Sequence, residues 1–560
     1  MFGPNKTIAR LVFLSLTVFA GSARPEQTEQ GSPQALAEVI RRIVSAENAL
    51  RERLRDYHPL VETYIQGLAE DDKLGAVPKE DEYFLGKLQL RGAVRTNSLL
   101  PRHGVVWSIT GALKQPFPMK MRYILDSFPT MILVDTAGLD ENRYEFRFVR
   151  REFLGEARCL AFDVKPQGKK REGFTGRIWV EDRDFTIVRF NGSNSSLGDR
   201  DLHFDSWRLH LGPGIWLPAL VYSEESDLPY GLIKTRKARF KAQTRLWSYA
   251  PKKDAKAGEF TAISVDDLAA RDRSDDKAPL SPVLSQRSWE RQAEENVIER
   301  LERAGLLAPR GDVDKVLETV VHNLEITNQV SIEPEVRCRV LLTSPLESFT
   351  VGRTIVLSRG LIDVLPDEAT LAAMLAHELG HVLLGHLPVD TKFAFADRML
   401  VEDTELLESF RFRRKPAEES AADAKAFELL QKSPYKDKLG DAGLFLRAVA
   451  SRAKQLPNLI RPHLGDRLAR GGDVLRLGQM LGAAPKLEME RIDQVAALPL
   501  GGRIQVDSWT NRIDLLKTKP AGLVSAREKM PLEITPFVPY VGYRQGARAP
   551  EVRASQNPVK

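Results

Sequence analysis

Apolar and polar positions follow two different periods along this chain. Between Ala35 and Leu54, "ALAEVIRRIVSAENALRERL" places its apolar residues at helical spacing and predicts an amphipathic helix. From about Pro118 to Trp247 the period falls to two. Runs such as "MKMRYIL", "RYEFRFV", "RCLAFDV", "TGRIWVE" and "HFDSWRLHL" are aromatic and β-branched, and turn signals such as "PQGKKREG" and "SNSSLGDR" separate them. Roughly eight strands in succession, with no helix between them, predict an antiparallel sheet or open barrel. The stretch from Ala250 to Pro282 is polar and rich in Lys, Asp and Pro, as a linker is. A charge-laced helix, "SWERQAEENVIERLERAGLL" (Ser288–Leu307), follows, and a mostly helical region runs from about Gly311 to Lys517. Pro, Gly and Arg dominate the tail.

Composition narrows the classes. The chain has 560 residues, 42% hydrophobic and 28% charged, ordinary for globular domains with a real core. Lys and Arg number 82 against 76 Asp and Glu, a net +6 spread along the sequence. That argues against nucleic acid as a partner and leaves room for peripheral association with anionic membrane surfaces. Cys159 and Cys338 are the only cysteines and fall in different predicted domains, so two separate buried thiols are expected rather than a bridge. Lys6 and Arg10 precede the apolar run Leu11–Ala20 and the small residues Gly21–Ala23. This is the pattern of a bacterial-type signal peptide cleaved after Ala23. The run is short of the roughly 20 residues a membrane span needs, and no later run qualifies. The expected mature protein is soluble and exported, periplasmic or secreted.

The chemistry concentrates in "LAHELGHVLLGH", Leu375–His386, which holds three of the nine histidines. Asp367 can cap a helix through this stretch. His377 and His381, four apart, then share a face and can present two imidazoles to one metal, with Glu378 beside it as a base. A metal lowers the pKa of bound water toward ~7, where a carboxylate can take its proton. At about 100° per residue, nine steps turn His386 to the opposite side of a continuing helix, which gives it a structural or supporting role. A third ligand must come from elsewhere. On the predicted helix Pro416–Leu430, Glu419 and Asp423 share a face. One of these carboxylates can complete the metal sphere, and the other can hold a ligand imidazole through its remaining N–H.

"TIVLSRGLIDVLPDEATLAAMLAHELGHVLLGH" followed by "EESAAD" resembles the HtpX and CAAX-prenyl-endopeptidase type of zinc metallopeptidase. This is metallopeptidase family forty-eight of the gluzincin clan, with BepA-like periplasmic members. The resemblance spans roughly Gly311 to Lys517 and is strongest from Thr354 to Asp423. It implies one zinc per chain bound by His377, His381 and Glu419, with Glu378 as base and Asp423 orienting a histidine. It also implies that Thr354, Ile355, Val356 and Leu357 form a strand beside the cleft, where an exposed edge would bind an extended peptide. Two departures stand out. Glu347–Ser348–Phe349 replaces the family's Asn-Ala-Phe-like element, and "DSWTNRIDLLK" keeps a late arginine, Arg512, without the His-Pro stretch ahead of it. Arg512 is the candidate transition-state stabiliser. The order of strands in the front half resembles LolA-like half-barrels.

These readings predict an α+β chain: an antiparallel β-rich, half-barrel-like domain followed by a mostly helical zincin-type metallopeptidase domain. The expected divisions are a signal peptide (1–23), an N-terminal helical segment (24–84), the β-rich domain (85–249), a linker and charged helix (250–310), the metallopeptidase domain (311–517) and a tail (518–560). The expected activity is hydrolysis of peptide bonds in unfolded or misassembled envelope polypeptides by Glu-assisted attack of zinc-bound water. The alternative is a lipid- or lipoprotein-binding or chaperone-like protein with a structural or self-inhibited zinc domain. In either case the β-rich domain is the candidate docking site for an envelope partner or an apolar ligand, with Trp179 and Trp216 as candidate lining. Residues 387–418 are long enough to form a lid beside the site. His322, on an apolar helix, is expected at the core or its boundary.

Overall fold

A computed structural model of the chain describes residues 33–71, 75–90, 94–100, 127–168, 173–194, 202–212, 214–225, 239–249, 282–386, 406–488, 504–506, 511 and 513–515. The expected signal peptide, linker and tail lie outside these residues. The chain is α+β, as its periodicities predict. It opens with α1 (Pro33–Leu54) and continues in a ten-stranded antiparallel sheet. The strands are β1 (Leu60–Asp71), β2 (Gly75–Gln89), β3 (Arg95–Ser98), β4 (Tyr144–Leu154), β5 (Ala157–Pro166), β6 (Phe174–Glu181), β7 (Ile187–Asn194), β8 (Leu202–Gly212), β9 (Ile215–Glu225) and β10 (Arg239–Trp247). They pair in the order β3-β2-β1-β10-β9-β8-β7-β6-β5-β4, and the sheet does not close.

The sheet begins earlier than its sequence suggests. Residues 60–84, read as part of a helical segment, form β1 and most of β2. The cause is burial on both faces. Val61 and Ile65 of β1 face the core under α1, whereas Leu60 and Tyr64 pack against the second half of the chain. A strand covered on both sides loses the clean alternation by which strands are recognised.

One face of the sheet is filled from within the chain. Ile43, Leu50 and Leu54 of α1 pack on it, with Phe128 in the short helix α2 (Ser127–Thr130) and Met131–Val134 after it. Arg208, fully buried in β8, donates to both oxygens of Glu47 on α1 at 2.7 Å and to the Ile187 carbonyl at 2.9 Å. On the opposite face Trp179, Trp207 and Trp216 are buried around Cys159. Cys159 and Cys338 are both free and buried, in agreement with the expectation.

The second half begins with α3 (Pro282–Arg303) and α4 (Asp312–Thr327). A small sheet follows, made of β11 (Arg337–Leu341), β12 (Ser348–Val351) and β13 (Thr354–Ser358) in the order β11-β13-β12. Then come α5 (Arg359–Val364), α6 (Glu368–Leu383), α7 (Leu406–Ser409), α8 (Pro416–Gln431), α9 (Leu439–Arg452) and α10 (Pro457–Ile460). Two short hairpins end the described chain: β14 (Ala469–Arg470) with β15 (Asp473–Val474), and β16 (Ile504–Val506) with β17 (Ile513–Leu515). His322 on α4 is not a core residue; its side chain is 68% exposed and stands 3.5 Å from Glu325.

The two halves share one apolar core, to which β1, β2 and β10 contribute Leu60, Tyr64, Tyr83, Leu85 and Trp247. Polar contacts fix their register. Asp81 of β2 accepts from the backbone N–H groups of Asn458 at 3.0 Å and Leu459 at 2.8 Å. Glu62 of β1 accepts from Arg245, Tyr83 and the Ser344 backbone. Trp247 donates its indole N–H to the Gly305 carbonyl at 2.9 Å.

The Arg208–Glu47 pair gives a stability prediction. Glu47→Ala strands a buried guanidinium and should destabilise the fold by about 3–5 kcal/mol. Urea unfolding followed by tryptophan fluorescence measures it, and an unchanged midpoint contradicts the assignment.

Candidate functional site

The site rests on α6. Asp367 caps it by accepting from the Thr370 N–H at 2.7 Å, and Ala369, Ala372, Ala373 and Ala376 let it sit deep in the core. That burial places His377, Glu378 and His381 inside the protein. Their polar atoms must therefore find partners, because unpaired buried polar groups are costly.

Helix α8 supplies partners to the two histidines. The Nε2 atoms of His377 and His381 are 3.2 Å apart. Glu419 lies across them, with Oε2 3.4 Å from His377 Nε2 and Oε1 3.2 Å from His381 Nε2. These three residues form the one group of possible metal ligands found among the described residues, with ligand atoms within 4.8 Å of one another. The fit to a metal can be tested on these distances. A tetrahedral zinc with ligand bonds of ~2.0–2.1 Å has donors ~3.3 Å apart. The donor separations in the protein match that edge, and the mix of imidazole and carboxylate suits a divalent first-row ion.

Each imidazole is held from behind. His377 Nδ1 lies 2.7 Å from Asp423 Oδ1, so it carries the proton and leaves Nε2 as the lone pair. His381 Nδ1 lies 3.0 Å from His386 Nδ1. The helix does not continue to His386 as the nine-step projection assumed. It ends at Leu383, and Gly385, at φ +68°, turns the chain so that His386 comes back onto His381. A residue with a side chain is disfavoured in that conformation.

Glu378 is buried beside the cluster and held by two hydroxyls of β12. Ser348 Oγ donates to Oε1 at 2.8 Å and Thr350 Oγ1 to Oε2 at 2.6 Å. Ser348 belongs to the segment Glu347–Ser348–Phe349, in which this chain departs from the family's Asn-Ala-Phe-like element, and Thr350 follows it directly. Glu347, the first of that segment, turns away from the site and accepts from the Leu464 and Gly465 N–H groups.

Arg476 is the residue that the sequence did not disclose. Fully buried, it donates from Nε to Glu419 Oε2 at 2.7 Å and from Nη1 to Ser348 Oγ at 3.0 Å and Glu378 Oε1 at 3.2 Å. It follows the β14–β15 hairpin, in a region read as mostly helical. The hairpin's two-residue turn, Gly471–Gly472, is a recognisable sequence signal and was the available clue. The electrostatics centre on this guanidinium. Burial pushes the Glu378 pKa up, but Arg476, the two histidines and Thr350 outweigh it and hold the carboxyl below its ordinary value. The same contest, won by Arg476 and the histidines, holds Glu419 well below the carboxylate range. For His377, burial and Arg476 act downward, yet the bonds to Asp423 and Glu419 leave its pKa raised.

Other sequence candidates fall elsewhere. Arg512 lies outside the described residues. Thr354–Leu357 forms β13, and β13 is the central strand of its sheet, paired on both sides by β11 and β12. It has no open edge for a peptide. The edge that meets the site is β12, whose outward Thr350 carbonyl accepts from Arg414 Nη2 at 3.1 Å. Within the segment considered as a lid, 387–405 lie outside the described residues. After it, Phe410 and Phe412 are buried, and Phe412 stacks on Phe349 of β12 at 5.0 Å, so this part is a fixed wall.

A buried helix that carries a His-Glu-x-x-His pair, with a carboxylate brought from a second helix, defines a metallopeptidase-type site. Residues 310–402 match the family model described as Peptidase family M48, which supports a metallopeptidase of that family in this part of the chain. The match ends before Glu419 and Arg476. Comparison with curated proteins gives no match. Among solved structures, a LolA superfamily protein from Nitrosomonas europaea is similar at a TM-score of 0.23 and 11% identity, covering 39% of this chain and 95% of that one. An outer membrane lipoprotein-sorting protein domain from Vibrio parahaemolyticus is similar at 0.18 and 10%, covering 37% and 92%.

Glu347 provides a pH test of the wall behind the site. Burial raises its carboxyl to about 7, although the backbone donors pull it down. The folded state thus holds a proton that the unfolded chain releases at lower pH. Stability is highest below the ordinary carboxylate range and declines as pH rises toward about 7. Glu347→Gln should flatten the pH dependence of the unfolding free energy between about pH 5 and 8, a change on the order of 3 kcal/mol. Wild-type and variant curves that run parallel in urea titrations contradict it.

Proposed function

We propose that this chain is an exported zinc endopeptidase acting on unfolded or misassembled polypeptides of the cell envelope. The observation that carries the activity is the meeting of His377, His381 and Glu419 at tetrahedral spacing, with an ionised Glu378 beside them. Among described residues, no helix is long and apolar enough to cross a membrane, which is compatible with export. A bound zinc would polarise the scissile carbonyl and make the attacking water more acidic. Glu378 takes the proton from that water and delivers it to the leaving amine. Ser348 and Thr350 fix the two oxygens of Glu378, so the base needs no reorientation. Asp423 and His386 keep the protons of the two imidazoles on Nδ1. Arg476 keeps both carboxylates ionised and takes the charge-stabilising position considered for Arg512.

The rival reading, a lipid carrier, needs a hollow lined by Trp179 and Trp216. Both are buried on one face of the sheet, and α1 fills the other. The cleft of about 710 Å³ that Trp179 borders is lined by Glu145, Arg147, Asp163, Lys165 and Arg177, charged groups that do not suit an apolar chain. The sheet is better read as a support for the peptidase half.

Glu378→Gln should retain zinc, measured by elemental analysis, and lose casein cleavage by at least about a hundredfold. Glu419→Ala should lose the metal as well. Wild-type cleavage rates in Glu378→Gln protein contradict the assignment of the base.

A further inference from the structure

The proposed hydrolysis leaves the charge of the neighbouring cleft unused. A cleft of about 510 Å³ opens beside Glu419, and its wall carries Arg413, Arg414, Arg467, Arg470 and Arg476. Two of these are engaged: Arg476 with Glu378 and Glu419, and Arg414 with the Thr350 carbonyl. Arg467 and Arg470 form no ion pair among the described residues, and Arg413 has an electrostatic interaction with the buried Glu347 carboxyl. The acidic residue beside them, Asp466, accepts from the Arg414 backbone N–H at 2.6 Å. Glu419 belongs to the metal cluster.

Positive groups crowded in this way repel one another. The Arg467 pKa is lowered, first by burial and then by the charges of Arg461, Arg470 and Arg413. No described ion pair offsets the charges of Arg467 and Arg470, whereas a bound anion would. The placement is equally specific. Arg470 ends the outgoing arm of the hairpin whose return leads to Arg476, so Arg467, Arg470 and the clamp on Glu378 belong to one short stretch of chain, and Arg413 reaches the cleft from the segment before α8.

We infer that Arg413, Arg467 and Arg470 form a carboxylate-binding subsite that selects peptides with an acidic group close to the bond presented to Glu378. The inference rests on the peptidase reading of the site. A guanidinium fork matches a carboxylate in two parallel hydrogen bonds, which gives direction as well as attraction. A recess beside the metal cluster fits an extended peptide that reaches it with one side chain or with its chain end.

Peptides of one sequence distinguish the sources of the carboxylate. One form carries internal glutamates, a second has glutamines in their place, and each is made with a free and an amidated C-terminus. All are labelled with fluorescein, and their binding to zinc-loaded Glu378→Gln protein is followed by anisotropy. The acidic form should bind about tenfold more tightly than the glutamine form at low salt. The preference should shrink as salt is raised. It should vanish in protein that also carries Arg467→Gln and Arg470→Gln, positions half-buried and exposed, respectively, where the fold tolerates exchange. A preference seen only between free and amidated ends assigns the subsite to the chain terminus. Equal binding of all forms, or a preference that survives the double exchange, overturns the inference. Wild-type protein tested on the same peptides separates the two claims. Cleavage without charge preference overturns the subsite alone, whereas charge-selective binding without cleavage supports the subsite and removes the peptidase reading.

Discussion

Helix α8 lies so close to α6 that a Cβ on Gly380 would stand 2.9 Å from the Ala422 carbonyl oxygen. The site depends on this approach. Glu419 and Asp423 flank Ala422 on α8, and the close crossing carries one to the Nε2 atoms of both histidines and the other to Nδ1 of His377. A side chain at position 380 would push α8 outward and open the donor set. The deep burial of α6 supplies the second half of the constraint, because it makes the histidines and Glu378 take protein partners: Asp423 and His386 for the imidazoles, and Ser348, Thr350 and Arg476 for the carboxylate.

The large sheet contributes to the site through a connected set of contacts. Tyr83 of β2 stacks on His463 at 5.4 Å, and the next two residues, Leu464 and Gly465, donate to Glu347. Glu347 immediately precedes Ser348, which holds Glu378. Asp81 fixes the start of the same segment through Asn458 and Leu459. The sheet therefore buttresses the wall against which the base is set, and the shared core makes it part of one folded body with the peptidase half.

Features written into local spacing were legible in the sequence. The pair His377 and His381 needs only the helical repeat, and the cap at Asp367 and the helix through Glu419 and Asp423 follow from short patterns. Features that depend on contacts far along the chain were not. Strand β1 escaped because both its faces are buried, one of them by residues near 300–340, and β2 was missed with it. His386 was projected along a helix that Gly385 stops. The strand at Thr354–Leu357 was recognised, but its place at the centre of the sheet depends on β11 and β12 together. Arg476 lies 98 residues beyond the carboxylate it binds, and no period in the sequence relates the two.

The central claim is that the two imidazoles and the Glu419 carboxylate hold one divalent ion. X-ray absorption at the zinc edge of the zinc-loaded protein tests it directly. The account predicts a first shell of two histidine nitrogens and low-Z oxygens at ~2.0–2.2 Å, altered when Glu419 is replaced. A zinc shell without histidine signatures, or one indifferent to Glu419, would contradict it.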